Sequence, residues 1–360
     1  MMRCPTMFLC CLSCIALAGT ASGGGGDPCS QPLPGSSCPT PSNGSMLMQL
    51  SMHKPDAPDI FYGVMTTGLP EYREKLAAQL ETWAAGAVRS GRFFSVAGHG
   101  AVPVAGAGLI VEDRCPDDRS GIVCKEERLL EEGYTRGAQW LVIVGEDNWV
   151  DTVRMEGALR NHSVGLRGAE PAALGIVGCG GGLAFCPEVT EFVGLCGGGG
   201  YAINRAALQA LLKRGKDALR KEYAGMAAYQ YGDVASSCAL RRRGVQLMDM
   251  PSLHGWAIEK LTEFRHVLKM GPITLHYCTP DVMRWVQAST RGLPESEVQA
   301  REVAAFDGGC CRALQGKYLT KCKQEVRTSI SALQVTWDDL RSTYIRERNA
   351  QLRGDRGRLR

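Results

Sequence analysis

A short apolar run that ends abruptly in acids most constrains how this chain can fold. Residues 140–144 are apolar, and the polar residues 145–148 follow them directly, with Glu146 and Asp147 at their centre. A short apolar run closed by turn residues predicts a buried strand. Carboxylates at the end of such a strand lie in the crevice where open α/β sheets bind ligands. We therefore expect a metal and a nucleotide to meet at Glu146 and Asp147, and a solvated strand-to-turn junction is the simpler alternative.

Predicted strands and helices alternate ahead of this run. Strands are expected over residues 60–65, 93–96 and 109–111, and helices after Pro70 and through Leu129 and Leu130. Alternation of this kind predicts a mostly parallel central sheet with helices on both faces. With 360 residues, of which 44% are hydrophobic, the chain is long enough for one large α/β domain with appendages.

The first 58 residues carry targeting and linker signals. Residues 7–18 are mostly apolar, follow Arg3 and precede small residues, which predicts a secretory signal peptide over residues 1–22. The run is shorter than the roughly 20 residues that a spanning helix needs, so a cleaved signal is expected and a short type II anchor is the alternative. Residues 23–58 are rich in Gly, Pro and Ser without periodicity, which indicates a flexible stem.

Cysteine usage agrees with an oxidising compartment. Four of the 16 cysteines fall in residues 1–22, and the even number of 12 that remains favours disulfides. Zinc is the alternative, but paired C-x-x-C elements at finger spacing do not occur. Asn43 and Asn161 each begin an acceptor sequon for N-glycosylation. We therefore expect the chain in the Golgi or ER lumen, either secreted or anchored through an uncleaved N-terminal signal.

Residues 291–360 are expected to form a helical, cysteine-containing appendage with a basic tail. Apolar residues recur there at steps of three and four up to Tyr344, which predicts a long packed terminal helix. Residues 341–360 contain seven arginines and two acids, whereas the net charge of the whole chain is only +4. Because the body is nearly neutral, nucleic acid is not an expected partner. We interpret the tail as a solvated terminus or a weak contact with an anionic surface.

Short motifs follow one another over residues 59–286. They are Thr66-Thr67, Glu81-Thr82-Trp83, Cys115 with Cys124-Lys125, Gly145-Glu146-Asp147-Asn148-Trp149-Val150, Gly198-Gly199-Gly200-Tyr201, Asp233-Val234, Leu253-His254 and His276-Tyr277. In this order they resemble the fringe-like β-1,3-glycosyltransferases, whose broader group includes the core 1 β-1,3-galactosyltransferases. The resemblance implies a GT-A-type nucleotide-sugar-binding fold over residues 59–290 and a disulfide between Cys115 and Cys124.

The resemblance also implies a donor site. Asp147 and His254 would bind a divalent cation, Mn²⁺ or Mg²⁺, with Glu146 beside them. Oxygen ligands suit these ions, and the cation would stabilise the diphosphate leaving group of a UDP-sugar. The resemblance places Thr66 and Thr67 in the nucleotide pocket and Lys75 near the phosphates.

An acceptor site is implied in the same way. Asp233 would take the proton of the attacking acceptor hydroxyl as general base. Gly198, Gly199 and Gly200 would leave space for the donor sugar or the acceptor near that base. Four positions depart from the family. Gly145 and Gly232 stand where it has acids, Glu146 replaces the middle aspartate of its acidic triplet, and Lys75 stands about where it has an arginine.

Three functions remain open from the sequence. The first is a metal-dependent, inverting β-1,3-glycosyltransferase of the secretory pathway that transfers N-acetylglucosamine or galactose from a UDP-sugar to a glycoprotein or another glycan. The second is a catalytically inactive relative that acts as a luminal binding or chaperone protein. The third is a glycoside hydrolase that uses a carboxylate pair such as Glu146 and Asp233.

Overall fold

The computed structural model describes residues 59–165, 170–181, 185–258, 261–291 and 337–358. All of them belong to one compact unit that spans residues 54–360. The expected signal and stem, and the predicted helical stripe and cysteines of residues 292–336, lie outside the described residues. Among the helices that are described, none combines the length and the apolar character needed to cross a bilayer.

Twelve strands are described. They are β1 (Ile60–Met65), β2 (Phe93–Ala97), β3 (Leu109–Val111), β4 (Trp140–Gly145), β5 (Trp149–Val150), β6 (Ala172–Gly175), β7 (Val177–Cys179), β8 (Gly194–Leu195), β9 (Tyr201–Asn204), β10 (Gln246–Asp249), β11 (Leu253–His254) and β12 (Thr274–Leu275). The main sheet has seven strands in the order β10-β6-β9-β4-β1-β2-β3. Its pairs are parallel except that β9 runs antiparallel to both β4 and β6. The expectation of a mostly parallel central sheet is therefore confirmed.

Ten α-helices are described. They are α1 (Pro70–Glu81), α2 (Ala85–Arg89), α3 (Ile122–Thr135), α4 (Thr152–Gly165), α5 (Arg205–Leu212), α6 (Lys216–Gly225), α7 (Gly232–Arg241), α8 (Leu261–Lys269), α9 (Pro280–Thr290) and α10 (Trp337–Arg358). Pro70 occupies the first turn of α1, where its missing N–H is not needed. Asn204 caps α5, because its side chain accepts a hydrogen bond from the Ala207 amide at 2.9 Å.

The pleat of β4 explains why helices cover both faces of the sheet. Successive side chains of a strand point to opposite faces. Trp140, Val142 and Val144 therefore pack into one buried cluster with residues of α1, α4 and α9. Leu141 and Ile143 pack into a second cluster with residues of α3, α5 and α7. A strand buried on both faces reads as a continuous apolar run, as the sequence of β4 does.

A small second sheet brings distant segments to the end of β4. Strand β12 pairs antiparallel with β5 and parallel with β11. Because β5 starts just after the acid pair of the β4 loop, residues that follow β12 are brought beside Asp147. In the antiparallel register that achieves this, Leu275 lies opposite Trp149 and Thr274 lies opposite Val150.

Three disulfides join cysteines of the described chain. They are Cys115–Cys124, Cys179–Cys196 and Cys186–Cys238. The first of them is the pairing that the family resemblance implies, and it is confirmed. Disulfides of this kind are typical of proteins from oxidising compartments.

The terminal helix α10 packs against the body of the protein. Tyr344 and Leu352 are buried, and Asn349 exchanges hydrogen bonds with the backbone of Gly178 and Gly180 at 3.1 and 2.9 Å. The part of the tail between Tyr344 and Leu352 is therefore not a solvated terminus. Buried apolar contacts hold it in place, which its arginine-rich composition does not indicate.

Candidate functional site

The loop after β4 is held rigidly by Asn148. Its side-chain oxygen accepts from the Gly145 amide at 2.9 Å, and its amide nitrogen donates to the Gly198 carbonyl at 2.8 Å. Its backbone carbonyl accepts from Gln79 and from the Trp83 indole at 2.9 and 3.0 Å. Asn148 is fully buried, so these bonds are protected from water. The acid pair is thereby presented on a fixed turn that also contacts the glycine loop.

Glu146 and Asp147 have opposite electrostatic states. Burial, together with the negative charge of Asp147, raises the pKa of Glu146 to about 8, although Lys75 and Lys125 partly oppose this shift. Burial acts against ionisation of Asp147 as well, but the adjacent His276 and Lys75 outweigh it and hold the pKa of that carboxyl below its usual range. Glu146 is therefore mainly protonated near neutral pH, and Asp147 is ionised.

The imidazole that contacts Asp147 belongs to His276. Its Nε2 lies 3.3 Å from Asp147 Oδ1, and both side chains are 16% exposed. Its Nδ1 lies 3.0 Å from the Gly255 carbonyl. His276 belongs to one of the motifs that resemble the family, but the resemblance gave it no role. The register of β12 against β5 decides this contact, and no local sequence pattern reports it.

His254, the predicted second metal ligand, lies on β11 beside β12. It is fully buried, and the centroid of its ring lies 3.7 Å from that of Trp256. Burial, with the nearby His276, lowers the pKa of His254 to about 3. The ring is therefore neutral at physiological pH, as a metal ligand must be. Its role as a ligand stays a prediction.

The acid pair suits a cation whose coordination is completed by the substrate. Within the described ranges, the one group of three His, Cys, Asp or Glu side chains with ligand atoms close enough for a metal is Cys186, Glu188 and Cys238, and its cysteines form a disulfide. A cage built wholly of protein ligands is therefore not found among the described residues at Asp147. Mg²⁺ and similar ions are often held by one or two carboxylates together with substrate phosphates. The ionised Asp147, with Glu146 beside it, fits that arrangement.

The loop after β1 contains the predicted nucleotide-pocket residues. Thr66 is buried and Thr67 is half-buried, directly after the last residue of the strand. The Lys125 ammonium donates to the Thr66 carbonyl at 3.1 Å, and the Asp117 carboxylate accepts from the Gly68 amide at 2.5 Å. Lys75 lies on α1 and acts electrostatically on the acid pair. The structure therefore brings Lys75 and Lys125 to the acids of the β4 loop.

Asp233, the predicted base, lies in the first turn of α7 at the edge of a cavity of about 310 Å³. That volume is near the lower end of the range for small-molecule sites, roughly 300–1,000 Å³. The carboxylate accepts from the Gly197 amide at 2.7 Å and lies 3.6 Å from an Arg348 nitrogen. His276 and Asn148 line the same cavity. The cavity therefore connects Asp233 with His276, which contacts Asp147, and with Asn148, which holds the loop after β4.

The glycine loop packs closely against its surroundings. A Cβ at Gly198 would lie 2.7 Å from the Tyr344 hydroxyl, and one at Gly199 would lie 2.9 Å from Ile176. Gly200 has a φ of +74°, and its Cβ would lie 2.6 Å from Val144. Larger side chains would collide with protein atoms at all three positions. Of these glycines, Gly198 borders the cavity.

Glu126 lies beneath Asp233, and the sequence did not single it out. It is fully buried on α3 and accepts hydrogen bonds from the Tyr201 hydroxyl and the Ser236 hydroxyl. Burial raises its pKa to about 8, with a smaller contribution from Asp233. A Cβ at Gly232 would lie 1.8 Å from Glu126 Oε2. The carboxyl of Glu126 thus fills the space that a side chain at position 232 would need.

Several further cavity residues carry no predictive pattern in the sequence. Arg119, Tyr231, Tyr344 and Arg348 line the cavity and come from three separate segments. Tyr277 also lines it, is 52% exposed and has a φ of +56°. A positive φ is a genuine outlier for a bulky residue and is often found at functional sites.

Comparisons with known proteins give little beyond this geometry. No protein-family model and no curated protein matches the chain. Among solved structures, a crystal structure of mannose-1-phosphate geranyltransferase from Thermus thermophilus matches with a TM-score of 0.32 and 14% identity, over 53% of this chain and 74% of that one. That protein is by name a transferase. A similarity this low supports no fold family and no activity for the present chain.

Proposed function

We propose that this chain is a metal-dependent, inverting β-1,3-glycosyltransferase of the secretory pathway. Its donor would be a UDP-sugar carrying N-acetylglucosamine or galactose, and its acceptor a glycoprotein or another glycan. One observation carries the proposal. Asp233 lines one cavity together with Gly145, Asn148 and His276, and the His276 imidazole in turn contacts Asp147 of the acid pair at 3.3 Å. Glycosyl transfer needs a leaving-group site and a base close to the same substrate cavity.

The donor would bind where the loop after β4 reaches the cavity. Asp147 would bind Mn²⁺ or Mg²⁺ directly, with Glu146 beside it and His254 as the second protein ligand that the family resemblance implies. When bound, such an ion neutralises charge that develops on a diphosphate leaving group. Lys75 adds positive charge on the same side, and Thr66 and Thr67 would line the nucleotide pocket.

The other side of the cavity would hold the acceptor. An acceptor hydroxyl attacks the anomeric carbon of the donor, the bond to UDP breaks, and Asp233 takes the hydroxyl proton. The products are the glycosylated acceptor, UDP and one proton, and attack from the face opposite to UDP inverts the anomeric centre. The hydrogen bond from the Gly197 amide fixes the orientation of the Asp233 carboxylate. General base catalysis of this kind contributes roughly 10²–10⁴-fold.

The second candidate is a catalytically inactive relative that acts as a luminal binding or chaperone protein. The contacts of Asp233 favour it, because the carboxylate is only 6% exposed and already contacts the Gly197 amide and Arg348. Both contacts are made by its Oδ2, so this oxygen is already engaged by protein groups. Such a relative would bind UDP or a UDP-sugar and would not turn it over.

The deciding measurement is UDP release by the purified chain from UDP-N-acetylglucosamine and from UDP-galactose, with Mn²⁺ or with EDTA. It is repeated with Asp147→Asn, with Asp233→Asn and with Asp217→Asn, which neutralises an exposed carboxylate on α6 as a matched control. A transferase gives metal-dependent release that survives Asp217→Asn and falls at least about 100-fold in each of the other variants.

Two results would contradict the proposal, the first its catalytic activity and the second its assignment of the base. Saturable UDP binding without release, over a panel of glycan and glycopeptide acceptors, would identify the inactive relative. Release that persists in Asp233→Asn would show that another group takes the proton. Calorimetric UDP titrations of the variants separate lost binding from lost chemistry, because Asp233 is not expected to contact the nucleotide.

A further inference from the structure

Two arginines converge on one aromatic ring at the Asp233 end of the cavity. The guanidinium of Arg348 lies 4.8 Å from the centroid of the Tyr231 ring, and that of Arg119 lies 5.5 Å from it. Arg119 also donates to the Tyr231 hydroxyl at 3.3 Å. Arg348 comes from α10, and Arg119 comes from the turn before α3. Arg348, Arg119 and Tyr231 therefore form one wall of the cavity, and they come from three segments distant in sequence.

The wall presents two guanidinium groups to the cavity, and among the described residues the acids that line the cavity with them are Asp233 and Glu126. Arg348 lies 3.6 Å from the Asp233 carboxylate. Glu126 remains largely protonated near neutral pH, because burial raises its pKa to about 8. An anion at this wall would therefore meet two guanidinium groups, that of the largely buried Arg348 and that of the exposed Arg119.

Arg348 is held so that it can bind such an anion. Its side chain is only 19% exposed, which limits screening by water. Its Nη1 donates to Gln351 on the same helix at 3.2 Å, and within the described chain its buried Nε makes no hydrogen bond. A planar guanidinium that is stacked on an aromatic ring has little freedom left to lose, and its fork of donors matches carboxylate or phosphate oxygens.

We propose that Arg348, Arg119 and Tyr231 form an anion subsite that binds a carboxylate or a phosphate group on the acceptor sugar. This inference rests on the proposed function, because it takes Asp233 to be the base that the acceptor hydroxyl approaches. The anionic group orients the sugar ring, and one of its hydroxyls then lies at Asp233. The acceptor class is therefore an acidic sugar, either a hexuronic acid or a sugar phosphate.

The test compares ligands that share one sugar ring and leaving group and differ in the group at C6, which is neutral in one and anionic in two. Binding of 4-nitrophenyl β-D-glucuronide, 4-nitrophenyl β-D-glucoside and 4-nitrophenyl β-D-glucoside 6-phosphate is titrated calorimetrically to the full-length protein in the presence of UDP and Mn²⁺. We expect the glucuronide or the 6-phosphate to bind at least tenfold more tightly than the neutral glucoside. The tighter of the two identifies the source of the anion. Equal binding of all three ligands overturns the subsite.

Variants assign the preference to the wall. Arg348→Gln is expected to reduce the ratio of anionic to neutral affinity at least tenfold, and Arg348→Lys is expected to restore part of it. Arg353→Gln removes the same charge from an exposed position of α10 and should leave the ratio unchanged. An unchanged ratio in Arg348→Gln overturns the proposal. If Arg348→Gln does not fold, as judged by its thermal melt, Arg119→Gln carries the same expectation and the same refutation.

Turnover separates this inference from the proposed function. If the anionic ligand binds through Arg348 and UDP is never released, the subsite stands and the transferase fails. If UDP is released equally fast with the neutral and the acidic acceptor, the transferase stands and the subsite fails.

Discussion

Replacing Gly232 with alanine should destabilise the protein, although this glycine needs no special backbone conformation. Gly232 is the first residue of α7, and its φ is not positive. Alanine is therefore allowed by the backbone, and any loss of stability must come from contacts. The new Cβ would lie 1.8 Å from Glu126 Oε2 and 2.7 Å from its Cδ, where real Cβ atoms are not found. The carboxyl of Glu126 must move.

The expected loss follows from what holds Glu126. Moving its carboxyl breaks the hydrogen bonds from Tyr201 and Ser236. Each bond contributes about 1 kcal/mol, and overpacking a core costs about 1–3 kcal/mol. Alanine also restricts the unfolded chain, which returns about 0.5–1 kcal/mol. We therefore expect the free energy of unfolding to fall by about 2–4.5 kcal/mol.

Urea unfolding of a double-mutant cycle measures this effect. In Glu126→Ala the obstructing carboxyl is gone, so adding Gly232→Ala should change stability little, and the two positions should couple by about 2–4.5 kcal/mol. The matched control is Gly157→Ala in α4, where a Cβ meets nothing within 4 Å and the free energy of unfolding should rise by about 0.5–1 kcal/mol. Additive effects of the pair, within about 0.5 kcal/mol, would refute the reasoning.

Three further outcomes are expected. The pKa of Glu126 is about 8 in the folded state and 4.5 ordinarily, so the stability that this carboxyl contributes is complete below pH 4.5 and is lost as the pH rises towards 8. Between these values the free energy of unfolding should fall by about 1.4 kcal/mol per pH unit. Urea titrations should show that Glu126→Gln removes this slope. Asn204→Ala removes the cap of α5 and the acceptor of the Ala172 amide, and should lower the urea-derived free energy of unfolding by about 2–3 kcal/mol, whereas a loss under about 0.5 would contradict this role. Replacing both Cys115 and Cys124 with serine frees a short loop in the unfolded chain and should lower the free energy of unfolding by about 2–3 kcal/mol. The loss is measured as a lower urea midpoint under non-reducing conditions.

Local patterns in the sequence were sufficient for much of the sheet. The predicted strands at residues 60–65 and 109–111 coincide with β1 and β3, and the helix after Pro70 is α1. These elements are set by apolar periodicity and by residues that start or end them, which act over a few positions. For the same reason, the sequence placed the acid pair correctly at the end of a buried strand. The Cys115–Cys124 pairing came from the family resemblance.

What the sequence determined by itself is therefore the elements and the chemical groups that they carry. Only the tertiary structure decided which groups meet. The register of β12 brings His276 to Asp147, α10 brings Arg348 to Asp233, and α3 places Glu126 in the space beside Gly232. The physical reason is that these contacts join residues far apart along the chain, and they depend on how whole strands and helices pack. No residue-by-residue pattern records that packing.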